Sequence, residues 1–205
     1  MIRVLIVEDQ AILRESLARS VGDQPDMTVV SAIADASEAL GVALKERPDM
    51  ILMDVCTEHD SNGIVAAARI KEQLPECRII IMTGMPEVSF VKQAREVGAE
   101  SFIYKNVSLS YLASVLRSTL DGYSTYPNKS QAPYASVPEF EEGELAIIRL
   151  VCEGKQRSEI ARELHLSDGT VKRRITEILA KTGYDSILKL AIHMVTKGYI
   201  APNMK

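Results

Sequence analysis

The chain has 205 residues, 46% of them hydrophobic and 25% charged, with a formal net charge of −4. That composition argues against wholesale disorder. No stretch approaches the roughly 20 apolar residues that cross a bilayer, and a net acidic chain at face value argues against a nucleic-acid binder.

The first half alternates short apolar runs with helical patterns. Residues 2–7 are predicted as a strand that runs out into Glu8-Asp9, which also argues against a secretory leader. A helix over 11–20, a strand over 28–33 and a helix over 36–45 follow. Next come a strand over 50–53, a helix over 63–73 and a strand over 78–82. A helix over 87–97, a strand over 101–104 and a helix over 109–120 complete the half. The first, third and fourth strands are nearly continuous in Ile, Val, Leu and Met, as strands covered on both faces are. Five repeats of strand then helix imply an α/β fold with a doubly wound, five-stranded parallel sheet.

Such sheets bind ligands at the carboxyl ends of their strands, near the point where strand order reverses. Glu8 and Asp9 follow the first strand, Asp54 the third, Thr83 the fourth and Lys105 the fifth. Three converging carboxylates need a cation, and an all-oxygen set suits a hard ion such as Mg²⁺. Lys105 and Thr83 would receive a phosphoryl group, through charge and through a hydrogen bond. One carboxylate could then act as a nucleophile and form an aspartyl phosphate. Taken singly, Asp54 reads equally as a strand cap, Thr83 as a turn residue, Lys105 as a solvated charge and Phe102 as a core aromatic.

Residues 121–138 hold three prolines and no apolar periodicity, which predicts a linker. The charge divides there. Residues 1–125 carry 12 Lys and Arg against 18 Asp and Glu, and residues 126–205 carry 12 against 10. From Lys155 onward the count is 10 against 5, so the second half is basic toward its end.

The second half reads as all-helical, with apolar residues at spacings of three and four. A short helix is predicted to end near Leu164. Ser167 is a natural N-cap for the next, and Asp168 suits its first turn. Val171, Ile175, Ile178 and Leu179 form one stripe of that helix; Arg173, Thr176, Glu177 and Ala180 lie opposite. A basic helix presented by a short helix and a turn suits the major groove of DNA. A solvated face on an ordinary helical bundle is the plainer alternative.

These residues carry two family resemblances. Residues 1 to about 122 resemble the receiver domain of bacterial two-component response regulators. The match lies in Glu8-Asp9, Asp54 after Ile51-Leu52-Met53, Thr83 after Ile80-Ile81-Met82 and Lys105 after Phe102-Ile103-Tyr104. Residues 140–200 resemble the LuxR-type DNA-binding domain. That match lies in Leu150-Val151-Cys152-Glu153-Gly154, Glu159-Ile160-Ala161, Leu166-Ser167-Asp168-Gly169-Thr170-Val171-Lys172 and Ile178-Leu179-Ala180-Lys181-Thr182-Gly183. Together they identify a response regulator of the NarL/FixJ kind: a flavodoxin-like receiver over 1–122, a linker over 123–139 and a helix-turn-helix domain over 140–205.

The resemblance implies the roles. Asp54 accepts phosphate from a sensor histidine kinase. Glu8 or Asp9, with Asp54 and a backbone carbonyl at Cys56, holds Mg²⁺. Thr83 and Phe102 form the switch pair. Lys172, Arg173 and Thr176 face base edges of double-stranded promoter DNA, and Lys155, Thr170, Arg174 and Lys181 meet phosphates. The helix over 186–197 pairs two chains, so a homodimer forms on activation, and RNA polymerase is a further partner. The protein is expected to be a transcription regulator rather than an enzyme, in the cytoplasm and off the membrane. The three dispersed cysteines, Cys56, Cys77 and Cys152, agree with a reducing compartment.

Three departures stand out. Gly63 follows Asp54 by nine residues where the family has eight, and Glu58, His59 and Asp60 fill the longer loop. Lys105 precedes Asn106 rather than proline, so that peptide is either trans or strained. The second domain opens on Phe140-Glu141-Glu142-Gly143-Glu144, where Glu141 can cap a helix and Gly143 weakens it. The unusual loop keeps a phosphorylation-independent DNA-binding regulator open as an alternative. A metal-dependent phosphohydrolase is another, although Cys56 stands where such enzymes need a second aspartate.

Overall fold

The computed structural model of the chain describes residues 1–128 and 138–201. The middle of the predicted linker and the last four residues lie outside the described residues. The chain divides into two compact units, Met1–Gly84 with Ser89–Asn128, and Met85–Val88 with Lys129–Lys205.

The first unit is built on β1 (Ile2–Val7), β2 (Met27–Ile33), β3 (Met50–Asp54), β4 (Arg78–Thr83) and β5 (Ser101–Tyr104). All pair in parallel, in the order β2-β1-β3-β4-β5. Between them run α1 (Ala11–Gly22), α2 (Ala39–Glu46), α3 (Gly63–Gln73), α4 (Phe90–Glu96) and α5 (Leu109–Leu120). The period of two along each strand sends alternate side chains to opposite faces. Val4, Ile6, Met50, Leu52, Ile80, Met82 and Ile103 pack against Leu17 and Val21 of α1 and Leu112, Val115 and Leu116 of α5. Their neighbours Leu5, Ile51, Ile79, Ile81 and Phe102 are fully buried on the other face. Burial of each such side chain stabilises by roughly 1.5–3 kcal/mol.

The strand order reverses between β1 and β3, and that is where a doubly wound sheet opens a crevice at its carboxyl end. Two local details differ from expectation. The helix expected from residue 87 begins at Phe90, and its first helical bond runs from Gln93 N to Ser89 O at 3.0 Å. The helix expected from residue 36 starts as a 3₁₀ turn over Ala36–Glu38, capped by Asp35, whose side chain accepts from Ser37 N at 2.8 Å.

The second unit contains α6 (Glu142–Cys152), α7 (Arg157–Glu163), α8 (Asp168–Thr182) and α9 (Ile187–Thr196). Leu145, Ile148, Ile160, Val171, Ile178, Leu190 and Met194 are among the residues of its core. Two capping boxes start the first two helices: Glu144 accepts from Glu141 N and Glu159 from Gln156 N, each at 2.7 Å. The α7–α8 turn closes with Leu166 N on Ala161 O at 2.8 Å, and His165 takes the left-handed region at φ 53. Ala161 is buried at that turn, in keeping with a close helix crossing. Ser167 caps α8 through Thr170 N, and Gly183 ends it at φ 75, where a side chain would be strained.

Candidate phosphoacceptor site and nucleic-acid interface

The strand ends bring Glu8, Asp9, Asp54 and Lys105 together, and Lys105 N–H donates to Thr83 O of the neighbouring strand at 2.9 Å. Glu8, Asp54 and Thr83 are 0%, 2% and 1% exposed. Each of Glu8, Asp9 and Asp54 offers an oxygen within 4.8 Å of the others. Lys105 Nζ reaches 2.7 Å from Asp54 Oδ2 and 2.7 Å from Glu8 Oε2. Arg14 Nη1 donates to the carbonyls of Glu8 and Asp9, at 2.6 and 3.0 Å, and fixes the turn after β1. The Lys105–Asn106 peptide is trans, since the described residues contain no cis bond.

The charges are poorly compensated. Burial pushes the Asp54 carboxyl above its ordinary value, and the neighbouring Asp9 charge adds to this; hydrogen bonding from Lys105 works the other way. Burial raises Glu8 as well, and the Asp54 charge adds to it, again against Lys105. Burial disfavours the Lys105 ammonium, yet the bonds to Asp54 and Glu8 outweigh it and its pKa rises. One cation therefore faces three acidic groups.

The donor set fits a hard cation. Asp9 Oδ1 is buried and has no hydrogen-bond partner among the described residues, an arrangement that normally costs free energy. Lys105 pairs with both Glu8 and Asp54, and Glu8, Asp9 and Asp54 together form an all-oxygen set that could hold a hard cation such as Mg²⁺. The longer loop after Asp54 is folded rather than loose. Glu58–Asp60 forms a 3₁₀ turn in which His59 adopts φ 58. His59 Nδ1 lies 3.0 Å from Asp35 Oδ2, and Cys56 bridges Asn62 across the loop. Asn62 then caps α3 through Ile64 N and Val65 N. Gly63 is required here, because a Cβ would collide with the Asp54 carbonyl.

In the second unit, α8 exposes Lys172, Arg173, Thr176 and Lys181, whereas Arg174 is half-buried. Arg173 pairs with Glu177 one turn on, at 2.6 Å. Lys181 Nζ lies 2.7 Å from Glu144 Oε2 and 5.4 Å above the Phe140 ring. Thr170 Oγ1 lies 2.8 Å from the capping Ser167 hydroxyl, and Lys155 stands 3.7 Å from Glu163. Arg157 forks onto Asp168, with contacts of 3.0 and 2.8 Å, and ties α7 to the start of α8. Sequence reasoning missed this clamp; its signal was an arginine opening one helix and an aspartate opening the next.

Comparison with known proteins agrees with both halves. Residues 4–117 match the response regulator receiver domain, and residues 142–194 match the luxR family of bacterial regulatory proteins. The response regulator protein VraR of Staphylococcus aureus is 31% identical over 188 residues, covering 88% of this chain and 90% of VraR. A LuxR-family response regulator structure from Aurantimonas sp. is 28% identical, with a TM-score of 0.57, covering 65% of this chain and 91% of that one. A structure of two RcsB dimers bound to two parallel DNAs has a TM-score of 0.70 at 19% identity, over 95% of this chain and 98% of that one; it shares the fold.

The chain belongs to the two-component response regulators. Its particular kind joins a receiver domain to a LuxR-type DNA-binding domain.

Proposed function

We propose that Asp54 accepts a phosphoryl group from a sensor histidine kinase, and that this controls promoter binding by the second unit. The observation that carries this reading is Asp54 at the end of β3, held at 2.7 Å by Lys105 beside Glu8 and Asp9. An Asp54 oxygen attacks phosphorus, the P–N bond to the kinase imidazole breaks, and the ring nitrogen recovers a proton. The Lys105 ammonium offsets charge on the transferred oxygens, and the Thr83 hydroxyl donates to one of them. Mg²⁺, when bound by Asp9, Asp54 and the Cys56 carbonyl, supplies further positive charge. Thr83 and Phe102 carry the change outward and shift the population toward an active state.

In that state two chains pair and read two half-sites. Leu188, Ile192 and Val195 support pairing through α9, as they recur on one side of it and are 55%, 58% and 38% exposed. Lys172, Arg173 and Thr176 address base edges, and Lys155, Thr170, Arg174 and Lys181 address phosphates. RNA polymerase is the partner such a regulator would engage next. The working division is a receiver over 1–122, a linker over 123–139 and a DNA-binding domain over 140–205. The cytoplasm is the compartment this reading requires; no helix of the described residues is long and apolar enough to cross a membrane.

Phosphate-affinity electrophoresis after incubation with phosphoramidate and Mg²⁺ tests the phosphoacceptor. Wild type should be retarded and Asp54→Ala should not. Equal mobility of the two would contradict the assignment.

A further inference from the structure

The start of the predicted linker is bound to the first unit. β5 is the edge of the sheet, and its outward amide, Phe102 N–H, donates to Thr125 O at 2.7 Å. Thr125 N–H donates in turn to Ser101 Oγ at 2.9 Å, and Ser101 Oγ meets Thr119 Oγ1 of α5 at 2.8 Å. An edge strand with unpaired amides is normally a liability; here residue 125 covers one of them.

Tyr126 completes the attachment. Its hydroxyl donates to Ala99 O at 2.7 Å. Its ring stacks on Phe102, with centroids 6.5 Å apart and planes 19° apart. On that ring also sits Arg95 of α4, with Cζ 3.7 Å from the centroid. Burial pushes the Tyr126 hydroxyl up to about 12, so it remains a neutral donor.

Phe102 is fully buried and also meets Tyr104 edge-on, at 5.5 Å. Tyr104 is the strand partner of Thr83. Strand pairing therefore sets Thr83 beside Tyr104, and ring contacts run on from Tyr104 through Phe102 to Tyr126. A ring in a close-packed site cannot change rotamer unless its neighbours move.

We propose that Thr125 and Tyr126 form a strap that holds the linker on β5 and opens when phosphorylation of Asp54 repositions Phe102. The strap rests on the phosphoacceptor reading given above. It makes Tyr126 a positioning residue, acting through Phe102 rather than at the phosphoryl group. Arg95 and Ala99 hold it closed in the unphosphorylated state.

Amide hydrogen exchange on the full chain tests this, with phosphate incorporation followed on the same samples by affinity electrophoresis. Phosphoramidate and Mg²⁺ should speed exchange of the Phe102 and Thr125 amides about tenfold or more, as local opening does. Tyr126→Ala should do so without phosphate, and Arg95→Ala in the same direction. Tyr126→Phe, which keeps the stack, should stay close to wild type. Unchanged exchange in fully phosphorylated wild type would overturn the strap and leave the phosphoacceptor standing. Absence of phosphate incorporation would overturn the reading beneath it. Unaltered exchange in both Tyr126→Ala and Arg95→Ala would also overturn the strap.

Discussion

Lys105 Nζ stands 2.7 Å from Asp54 Oδ2, and the same ammonium lies 2.7 Å from Glu8 Oε2. One charge bridges two buried carboxylates while Asp9 adds a third acidic group. The site is therefore assembled against its own electrostatics, which is expected of a centre arranged for a cation and a phosphoryl group rather than for stability.

Asp54→Asn should stabilise the protein at neutral pH. The sign follows from linkage. The Asp54 carboxyl is raised above its ordinary value of 3.8, chiefly by burial. The native state thus holds this proton more tightly than the unfolded state, and ionising it costs stability as pH rises. The advantage of Asp54→Asn should be absent below the unfolded pKa and complete above the raised folded one. Urea midpoints in metal-free buffer from pH 3.5 to pH 7, roughly the window of carboxylate titration, provide the check; a pH-independent difference would count against it.

Mg²⁺ should raise the melting temperature of wild type, because a ligand that binds only the native state stabilises it by mass action. Asp9→Asn should remove most of that gain. Asp9 Oδ1 is buried without a hydrogen-bond partner among the described residues, so the amide should fold at least as well as the acid. Equal Mg²⁺ responses in the two proteins would remove Asp9 from the ligand set.

Gly63→Ala should cost more than an ordinary exchange into a helix start, about 2 kcal/mol or more. The added carbon meets the Asp54 carbonyl, which is backbone and cannot swing aside. Thermal unfolding measures the loss. A substitution tolerated within a few tenths of a kcal/mol would mean that the α3 start can retreat from Asp54.

The sheet was legible because buried parallel strands spell themselves as apolar runs, such as Ile51-Leu52-Met53 and Ile79-Ile80-Ile81. The polar residues at strand ends stand out for the same reason: Glu8-Asp9, Asp54, Thr83 and Lys105 directly follow such runs. What failed to show was pairing over distance. No local pattern says that Lys105 takes Glu8 as well as Asp54, or that Lys181 folds back onto Glu144. Tyr126 was hidden most completely. Proline and small polar residues around it read as linker, and stacking on Phe102, 24 positions earlier, has no periodicity to reveal it.

On α8, Arg173→Ala should change sequence preference and cost about 1–3 kcal/mol at the base it reads. Lys181→Ala should weaken all sequences alike and reduce the salt slope by about one. Both side chains must first leave carboxylates, Glu177 and Glu144, and the exposed Arg173–Glu177 pair holds weakly. Fluorescence anisotropy on matched and mismatched duplexes over a salt series separates the two effects. If neither property changes in either variant, α8 is not the reading helix.

The most direct test of the central claim is the affinity of the full chain for its promoter DNA, measured before and after phosphorylation, in wild type and in Asp54→Ala. A phosphorylation-controlled regulator should bind about tenfold more tightly, or better, once phosphorylated. The Asp54→Ala chain should be indifferent to the phosphodonor. Equal affinity of phosphorylated and unphosphorylated wild type would contradict the account and leave a DNA-binding protein whose acidic crevice does not govern it.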